Sequence, residues 1–294
     1  QILLNADIAL YNAKKRGRNR YEFFSADKHD NLINTKRISD EILRALERKE
    51  FVPYYQFRFD AQTLDIAGVE TLARWLHPEE GILTPDRFLA IAEDLDAVTA
   101  IDAIMLDKAI KDFKAWQLAG LDIPNISVNV SSRRLHDPSL LKSLANIDVP
   151  HGALSFELLE SIFLDDSDDV ALSNLRQLRA MGIDIEIDDF GTGHASIVSL
   201  LKVSPSVLKV DRQLVRSAPQ SSDQRKLLTS IIDIGRSLGI KVVAEGVETA
   251  AHVRVLQKLG FDYLQGYALC RPLPQHAIIP FVQSAPWRHL NLES

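Results

Sequence analysis

The sequence predicts an α/β protein that forms a TIM-like (β/α)8 barrel, modified by a short helical and strand segment in front of it. First, short β-rich runs alternate with helically spaced apolar segments from Phe51 onward. Second, most of these runs are apolar on both faces, as expected of parallel strands that helices cover. Third, the number of units and the length favour a barrel over the alternative, a doubly wound sheet.

Eight runs are predicted to be the barrel strands: Val52–Phe57, Ile66–Ala73, Ile126–Val130, Leu154–Leu158, Ile183–Ile187, Val207–Val210, Ile240–Ala244 and Asp262–Leu264. Six segments between them are predicted to be helices: Pro85–Ala97, Asp102–Ala119, Asp137–Ala145, Asp168–Met181, Lys226–Leu238 and Ala250–Leu259. The barrel is therefore expected to occupy residues 51–294.

The first 50 residues follow a different pattern. Residues 1–27 combine an amphipathic stretch, a basic cluster from Lys14 to Arg20 and a short predicted strand at Tyr21–Phe24. Residues 28–50 are polar with helically spaced apolar positions, which predicts a connecting helix. Because Gln1 falls inside a helical pattern, we expect the chain to be part of a longer protein.

Composition limits the function classes. A formal charge of −6 argues against binding of a nucleic-acid polymer, which usually needs a basic face. The single cysteine, Cys270, excludes an internal disulfide and is typical of a reducing compartment. No apolar run approaches the roughly 20 residues of a membrane helix. We therefore expect this segment to be cytoplasmic, although its parent protein could be anchored in a membrane.

Polar residues recur at or near the C-terminal ends of the predicted strands: Glu70, Asn129, Glu157, Asp188, Asp189, Lys209, Asp211, Glu245 and Gln265. One such acid is most often a helix cap, but capping does not account for the whole set. In a parallel barrel these ends open on the face that carries active sites. Carboxylate and amide oxygens suit Mg²⁺, Mn²⁺ or Ca²⁺. The adjacent pair Asp188 and Asp189 could reach two ions about 3.5–4 Å apart, the usual clamp for phosphoryl displacement.

Two cationic residues have a structural and a functional interpretation. Lys209 lies in an otherwise apolar strand, so it either reaches the barrel rim or orients the attacking water. Arg74 lies on the same strand face as Glu70, so it holds a phosphate or pairs with that carboxylate. The glycines of DDFGTG (188–193) indicate a mobile loop over the site.

These motifs together resemble the EAL family of cyclic di-GMP phosphodiesterases, with matching order and spacing from about Leu46 to Leu273. GVETLARW (68–75) resembles the EAL signature, DDFGTG (188–193) matches in full, and FELLES (156–161), LKVDR (208–212), VAEGVET (243–249) and LQGYALCRPLP (264–274) follow. Residues 1–27 resemble the C-terminal end of a GGDEF diguanylate cyclase domain. That domain's catalytic part is absent from this chain, so no cyclase activity is expected.

The resemblance implies hydrolysis of cyclic di-GMP to linear pGpG by a water that two Mg²⁺ or Mn²⁺ ions activate, with Ca²⁺ as an inhibitor. By position, Glu70, Asn129, Glu157 and Asp188 would bind the first ion, and Asp188, Asp189 and Glu245 the second. Lys209 would position the attacking water, and Glu160 would hold the loop after Asp189. The nucleotide contacts would be Gln56, Leu72, Arg74, Asp211 and Gln265.

Several positions depart from the family pattern: Phe57, Thr71, Ala73, His194 and Ala195. None of them is a metal ligand, so hydrolysis is the leading hypothesis. The alternatives are a catalytically weak or inactive sensor that binds cyclic di-GMP and signals through a partner, and a barrel enzyme for another phosphodiester. By analogy with the family, we also expect a homodimer near the DDFGTG loop, and upstream GGDEF and sensor domains in the parent chain.

Overall fold

The computed structural model describes residues 26–144, 147, 150–160, 169–191 and 197–290. The predicted strand at Tyr21–Phe24, the basic cluster and loop residues His194 and Ala195 lie outside these ranges. The chain divides into two compact units, Gln1–Glu50 with Trp75–Val98, and Phe51–Arg74 with Thr99–Ser294. The domain limits placed at residues 27 and 50 stay predictions.

The second unit contains a closed barrel of eight strands. They are β1 (Phe51–Asp60), β2 (Ile66–His77), β4 (Ile126–Asn129), β5 (Leu154–Leu159), β6 (Asp184–Phe190), β7 (Val207–Val210), β8 (Lys241–Ala244) and β9 (Tyr263–Leu264). Their order is β1-β9-β8-β7-β6-β5-β4-β2, and a further pairing of β1 with β2 closes the ring. β2 and β4 through β9 are joined by parallel ladders. The predicted fold class is confirmed.

Strand β1 runs against the others, which the expectation of a parallel barrel did not include. It pairs with β9 in antiparallel register, Phe59 opposite Leu264, and the short strand β10 (Leu273–Pro274) pairs with its other edge. The turn between β1 and β2 is too short for a parallel crossover. Asp60 closes that turn by accepting hydrogen bonds from the amides of Gln62 and Thr63, both at 2.8 Å.

Helices surround the barrel strands. They are α3 (Val98–Leu118), α4 (Ser132–His136), α5 (Pro138–Leu144), α6 (Asp169–Ala180), α7 (Ile197–Val203), α8 (Arg212–Val215), α9 (Ser222–Leu238), α10 (Ala250–Leu259) and α11 (Ile278–Ser284). Five of the six predicted helices correspond to α3, α5, α6, α9 and α10, and the sixth, Pro85–Ala97, corresponds to a helix of the first unit. Helices α4, α7, α8 and α11 were not predicted. Phe57, which departs from the family pattern, is fully buried and stacks on Phe281 of α11 with ring centroids 5.3 Å apart.

The first unit packs α1 (Ala26–Arg48) and α2 (Pro85–Asp94) with the end of β2 and strand β3 (Gly81–Leu83). Helix α1 corresponds to the predicted connecting helix. Its residue Arg37 pairs with Glu80 at 2.6 Å, and the buried His77 lies 3.3 Å from Glu41. None of the helices that the structure describes is long and apolar enough to cross a membrane.

Candidate active site

The ammonium of Lys209 is the centre of an acidic cluster, here defined as Glu70, Glu157, Asp188, Asp189 and Glu245. Its Nζ atom lies 2.7 Å from Glu157, 2.8 Å from Glu245, 3.1 Å from Asp188 and 3.4 Å from Glu70. An ammonium donates at most three hydrogen bonds, so these four carboxylates cannot all be bonded at once. The lysine is 1% exposed, and the interpretation in which it reaches the barrel rim is therefore wrong.

Burial and mutual repulsion in the acidic cluster shift the pKa values of its residues. Burial alone would lower the pKa of Lys209, but the surrounding carboxylates raise it well above its ordinary value. Burial, and then the neighbouring Glu70, raise the pKa of Glu157 well above its usual range. Burial likewise raises the pKa of Glu245 to about 8. Burial and the adjacent Asp188 raise the pKa of Asp189 to about 6. One cation is therefore too little positive charge for this group of acids.

A bulge in β6 brings Asp188 and Asp189 to the same site. Neighbouring residues of a regular strand point to opposite faces. Here the ladder with β7 shifts its register between Ile187 and Phe190, and Asp189 adopts a φ of +54°. Such a conformation is uncommon outside glycine, although aspartate tolerates it better than most residues. The Asp189 amide donates to Asp188 Oδ1 at 3.0 Å. The strained backbone at this bulge thus directs both carboxylates to one site, where they could bind metal ions.

The carboxylates form two triads that share Asp188. In the first, one oxygen each from Glu70, Glu157 and Asp188 lies within 4.8 Å of the others; in the second, the same holds for Asp188, Asp189 and Glu245. These are the carboxylates that the resemblance assigned to the first and second ions.

Neighbouring side chains orient the first triad. Ser127 Oγ donates to Glu157 Oε1 at 2.5 Å. Gln265 Nε2 donates to Glu70 Oε2, and Asn129 Nδ2 lies 3.4 Å from both Glu70 and Glu157. Of these residues, Ser127 was not predicted, because a small hydroxyl within an apolar strand is not distinctive in sequence.

Two predicted residues contact the backbone around the bulge. Glu160 Oε2 accepts a hydrogen bond from the Gly191 amide at 3.0 Å, which agrees with its expected hold on the loop after Asp189. Asp211 caps α8 by accepting from the Gln213 amide at 2.7 Å. Burial is the main cause that raises the pKa of Asp189, and the Asp211 carboxyl group adds to it. The structure therefore places Asp211 beside the second triad instead of on the wall of the adjoining cleft.

A cleft of about 230 Å³ opens over the cluster. Its predicted lining residues are Gln56, Glu70, Leu72, Asp188, Glu245 and Gln265, and its unpredicted ones are Arg212, Gly246, Glu248, Gly266 and Tyr267. Gly246 has a φ of +64°, and a Cβ there would lie 2.5 Å from Arg212 Cβ. Arg212 and Glu248 fall inside the motifs LKVDR and VAEGVET, so the motifs held the signal for them.

Arg74 lies on β2 and contacts Tyr54 of β1. Its guanidinium lies 5.6 Å over the Tyr54 ring, and Nη1 donates to the Ala73 carbonyl at 2.8 Å. It does not line the cleft.

The protein is an eight-stranded α/β barrel in which a buried lysine lies among carboxylates close enough to share metal ions. This combination defines a candidate metal-dependent hydrolase. Comparison with known proteins is more specific. The family model described as "EAL domain" matches residues 39–272, and the chain belongs to that family.

The relatives agree with this assignment. The chain is 37% identical over 286 residues to the bifunctional diguanylate cyclase/cyclic di-GMP phosphodiesterase MucR of Pseudomonas aeruginosa, covering 96% of this chain and 42% of MucR. It is 31% identical over 301 residues to the cyclic di-GMP phosphodiesterase NbdA of the same organism, covering 99% and 38%. The chain thus spans less than half the length of these relatives.

Solved structures share the fold. A structure of the PaMucR phosphodiesterase in complex with c-di-GMP superposes with a TM-score of 0.77 at 36% identity, over 82% of this chain and 99% of the other. The EAL enzyme Bd1971, in a form with cAMP and cyclic di-GMP bound, has a TM-score of 0.80 at 26% identity, over 96% and 75%.

Proposed function

We propose that this chain hydrolyses cyclic di-GMP to linear pGpG with two divalent cations, Mg²⁺ or Mn²⁺. The observation that carries the proposal is the pair of carboxylate triads that share Asp188 at the cleft. The names of the relatives support the substrate, since MucR and NbdA are described as cyclic di-GMP phosphodiesterases. A cytoplasmic location for this segment is part of the same proposal, and the single cysteine, which is typical of a reducing compartment, supports it.

The donors suit two hard cations. Every candidate ligand offers oxygen, and the excess of carboxylates over the single ammonium calls for further positive charge. Asn129 directs its Nδ2 atom at Glu70 and Glu157, 3.4 Å from each. An amide ligates through oxygen, so binding of the first cation would turn this amide by half a rotation about χ2. Ca²⁺ prefers longer bonds and more ligands, and it is expected to occupy the site without supporting turnover.

Bound cations would polarise the scissile phosphate and lower the pKa of the attacking water. Lys209 would hold that water by a hydrogen bond from Nζ, in line with the 3′ oxygen. Water adds to phosphorus, the bond from phosphorus to the 3′ oxygen breaks, and the products are a 5′ phosphate and a 3′ hydroxyl on one linear dinucleotide.

The cleft offers contacts for the rest of the substrate. Gln56, Leu72 and Gln265 line it and stay proposed nucleotide contacts. Arg212 offers a cation for the second phosphate, and Tyr267 offers an aromatic face for a base. Arg74 and Asp211 lie off the cleft wall. Arg74 would reach a phosphate only by leaving the Tyr54 ring, and Asp211 would act through Asp189.

Chromatography of cyclic di-GMP reactions with Mg²⁺, Mn²⁺ or Ca²⁺ tests the proposal. We expect pGpG with the first two ions, and loss of the product in a Glu70→Ala variant, which lacks one oxygen ligand. Binding of cyclic di-GMP without turnover in either active metal would instead establish the sensor alternative. Hydrolysis of unrelated phosphodiesters at a similar rate would establish a different substrate.

A homodimer is part of the same proposal. Apolar side chains at the end of β5 and on α7 are about half exposed, at 46% for Leu159, 55% for Val198 and 57% for Leu201. Val198 and Leu201 lie three residues apart on α7 and therefore share one side of that helix. Exposed apolar residues that lie side by side are typical of an interaction surface. Sedimentation velocity measures whether the chain self-associates.

A further inference from the structure

A buried ion pair crosses the interior of the barrel. Arg58 on β1 pairs with Glu186 on β6, with Nη1 2.7 Å from Oε2 and Nη2 3.2 Å from Oε1. Their side chains are 6% and 0% exposed. In the closed strand order, β6 is four strands from β1 in either direction, so the pair joins opposite walls. We name it the lumen pair.

The guanidinium of the lumen pair is fixed on several sides. Nη2 also donates to Asn125 Oδ1 at 3.2 Å, and Asn125 in turn donates to Ser155 Oγ at 2.8 Å. The plane lies 5.2 Å over the Tyr263 ring. Gly68 leaves room for it, because a Cβ there would approach Nη2 to 3.2 Å. Arg58 is thus held by residues from around the ring.

The lumen pair is connected to both triads through the sheet. Glu186 is the register partner of Glu157 in the parallel ladder of β5 and β6. It also precedes Asp188 by two residues, so both side chains point to the same face of β6. A tie between Arg58 and Glu186 therefore fixes, relative to β1, the strand segment that carries the carboxylate shared by both triads.

Stability alone does not account for this pair. Barrel interiors are ordinarily filled by apolar layers, and replacing a buried ion pair with apolar residues is often neutral or stabilising. Arg58 also buries its Nε atom, which has no hydrogen-bond partner among the described residues. Residues that break a packing rule in this way are expected near functional sites.

We propose that Arg58 and Glu186 are positioning residues for the metal-binding carboxylates. Their two parallel hydrogen bonds set the height of β6, and thereby the distances of Asp188 to Glu70 and Glu157 in one triad and to Glu245 in the other. The inference rests on the proposed function for its reaction, but its direct consequence is cation affinity.

The test compares a barrel with an apolar interior to the natural one. In Arg58→Met/Glu186→Leu both charges are gone, so neither partner is left buried alone and the variant should fold. We expect a melting temperature near that of the wild type. Outer partners of metal ligands typically change metal affinity or activity by about 10–100-fold. EPR titration of free Mn²⁺ should therefore show at least about ten-fold weaker binding at one of two sites, with a fall in kcat.

Two further variants separate positioning from charge and from folding. Arg58→Lys keeps the positive charge but loses the two parallel hydrogen bonds to Glu186. Its kcat should therefore stay below that of the wild type, as in the double variant. Arg134 is a matched control, because it is 7% exposed and pairs with Asp137 at 2.9 Å. It also buries an Nε atom that has no partner in the part of the chain that the structure describes, yet it lies on α4 and not in the barrel wall. Arg134→Met should lower the melting temperature and leave Mn²⁺ affinity unchanged.

A folded double variant that binds two Mn²⁺ ions with wild-type affinity would overturn the proposal. If the double variant does not fold, Glu186→Gln keeps the shape and one acceptor, and wild-type Mn²⁺ affinity in that protein would overturn it equally. A wild type that binds Mn²⁺ without producing pGpG would refute the proposed reaction, while the Mn²⁺ comparison would still decide the role of the lumen pair.

Discussion

Replacing Lys209 by methionine should destabilise the metal-free protein strongly. The ammonium is 1% exposed and lies within 3.4 Å of four carboxylates, so its loss leaves buried negative charge without compensation. Removing one partner of a buried ion pair costs about 3–5 kcal/mol. For a unit of this size, each kcal/mol corresponds to about 2–4 °C. We therefore expect the melting temperature in EDTA to fall by about 6–20 °C.

Divalent cations should reverse much of that loss. They add positive charge at the same carboxylates, so saturating Mn²⁺ should raise the melting temperature of Lys209→Met more than that of the wild type. Turnover should still fall by about 10²–10³-fold, the usual cost of one electrostatic group in an active site, with a smaller change in KM. Calorimetry and pGpG release measure the two effects.

Lys241→Met is the matched control. Its ammonium pairs with Asp262 at 2.7 Å, but the lysine side chain is 58% exposed. An exposed pair contributes at most about 1 kcal/mol, so the control should lose no more than about 4 °C. An unchanged melting temperature of Lys209→Met in EDTA, or an equal deficit with and without Mn²⁺, would refute the electrostatic reasoning.

Five further outcomes are expected. Thr71→Val should raise stability by about 1 kcal/mol at unchanged turnover, because the buried Thr71 hydroxyl has no hydrogen-bond partner in the described structure; a lower melting temperature would contradict this. Metal-free Glu245 and Asp189 have pKa values of about 8 and about 6, so cations must displace protons: Mn²⁺ affinity should rise between pH 6 and 8, with proton release measurable by pH-stat, and a flat profile would be inconsistent. By the same shifts, stability of the metal-free protein should decline as pH rises through 8, since the folded state holds the extra proton. Leu201→Asp should dissociate a dimer in sedimentation velocity, if that half-exposed side chain lies in the interface. Asp189→Asn should preserve the fold, because asparagine tolerates positive φ, and abolish binding of the second Mn²⁺.

Much of the barrel could be predicted because periodicity and chain order carry it. Strands such as β7 (Val207–Val210) match their predicted bounds, and polar residues at strand ends share one face in a parallel barrel. That rule is sufficient to predict that Glu70, Glu157 and Glu245 lie close together. The metal-ligand assignment itself stays a prediction, although the two triads agree with it.

What the sequence did not indicate depends on long-range geometry. The direction of β1 depends on a five-residue turn that apolar periodicity does not register. The bulge at Asp189 depends on how β6 pairs with β7, which the local sequence does not determine. This bulge decides whether the adjacent Asp188 and Asp189 point into the same site. Arg58 and Glu186 are 128 residues apart, so only the closed ring makes them partners.

Three features of the site share an energetic property, since each lowers the stability of the metal-free protein. Asp189 holds an unfavourable backbone conformation, and Arg58 buries a donor that has no partner within the described ranges. Glu245 holds a proton that a solvated carboxyl would lose at neutral pH. Apolar side chains at these positions, like those that fill most of the surrounding strands, would avoid all three costs. Because two cations would relieve the repulsion in the cluster, their binding free energy should appear as folding stability. The position of Asp188 between both triads then makes the two binding events interdependent, and loss of either ion should weaken the other.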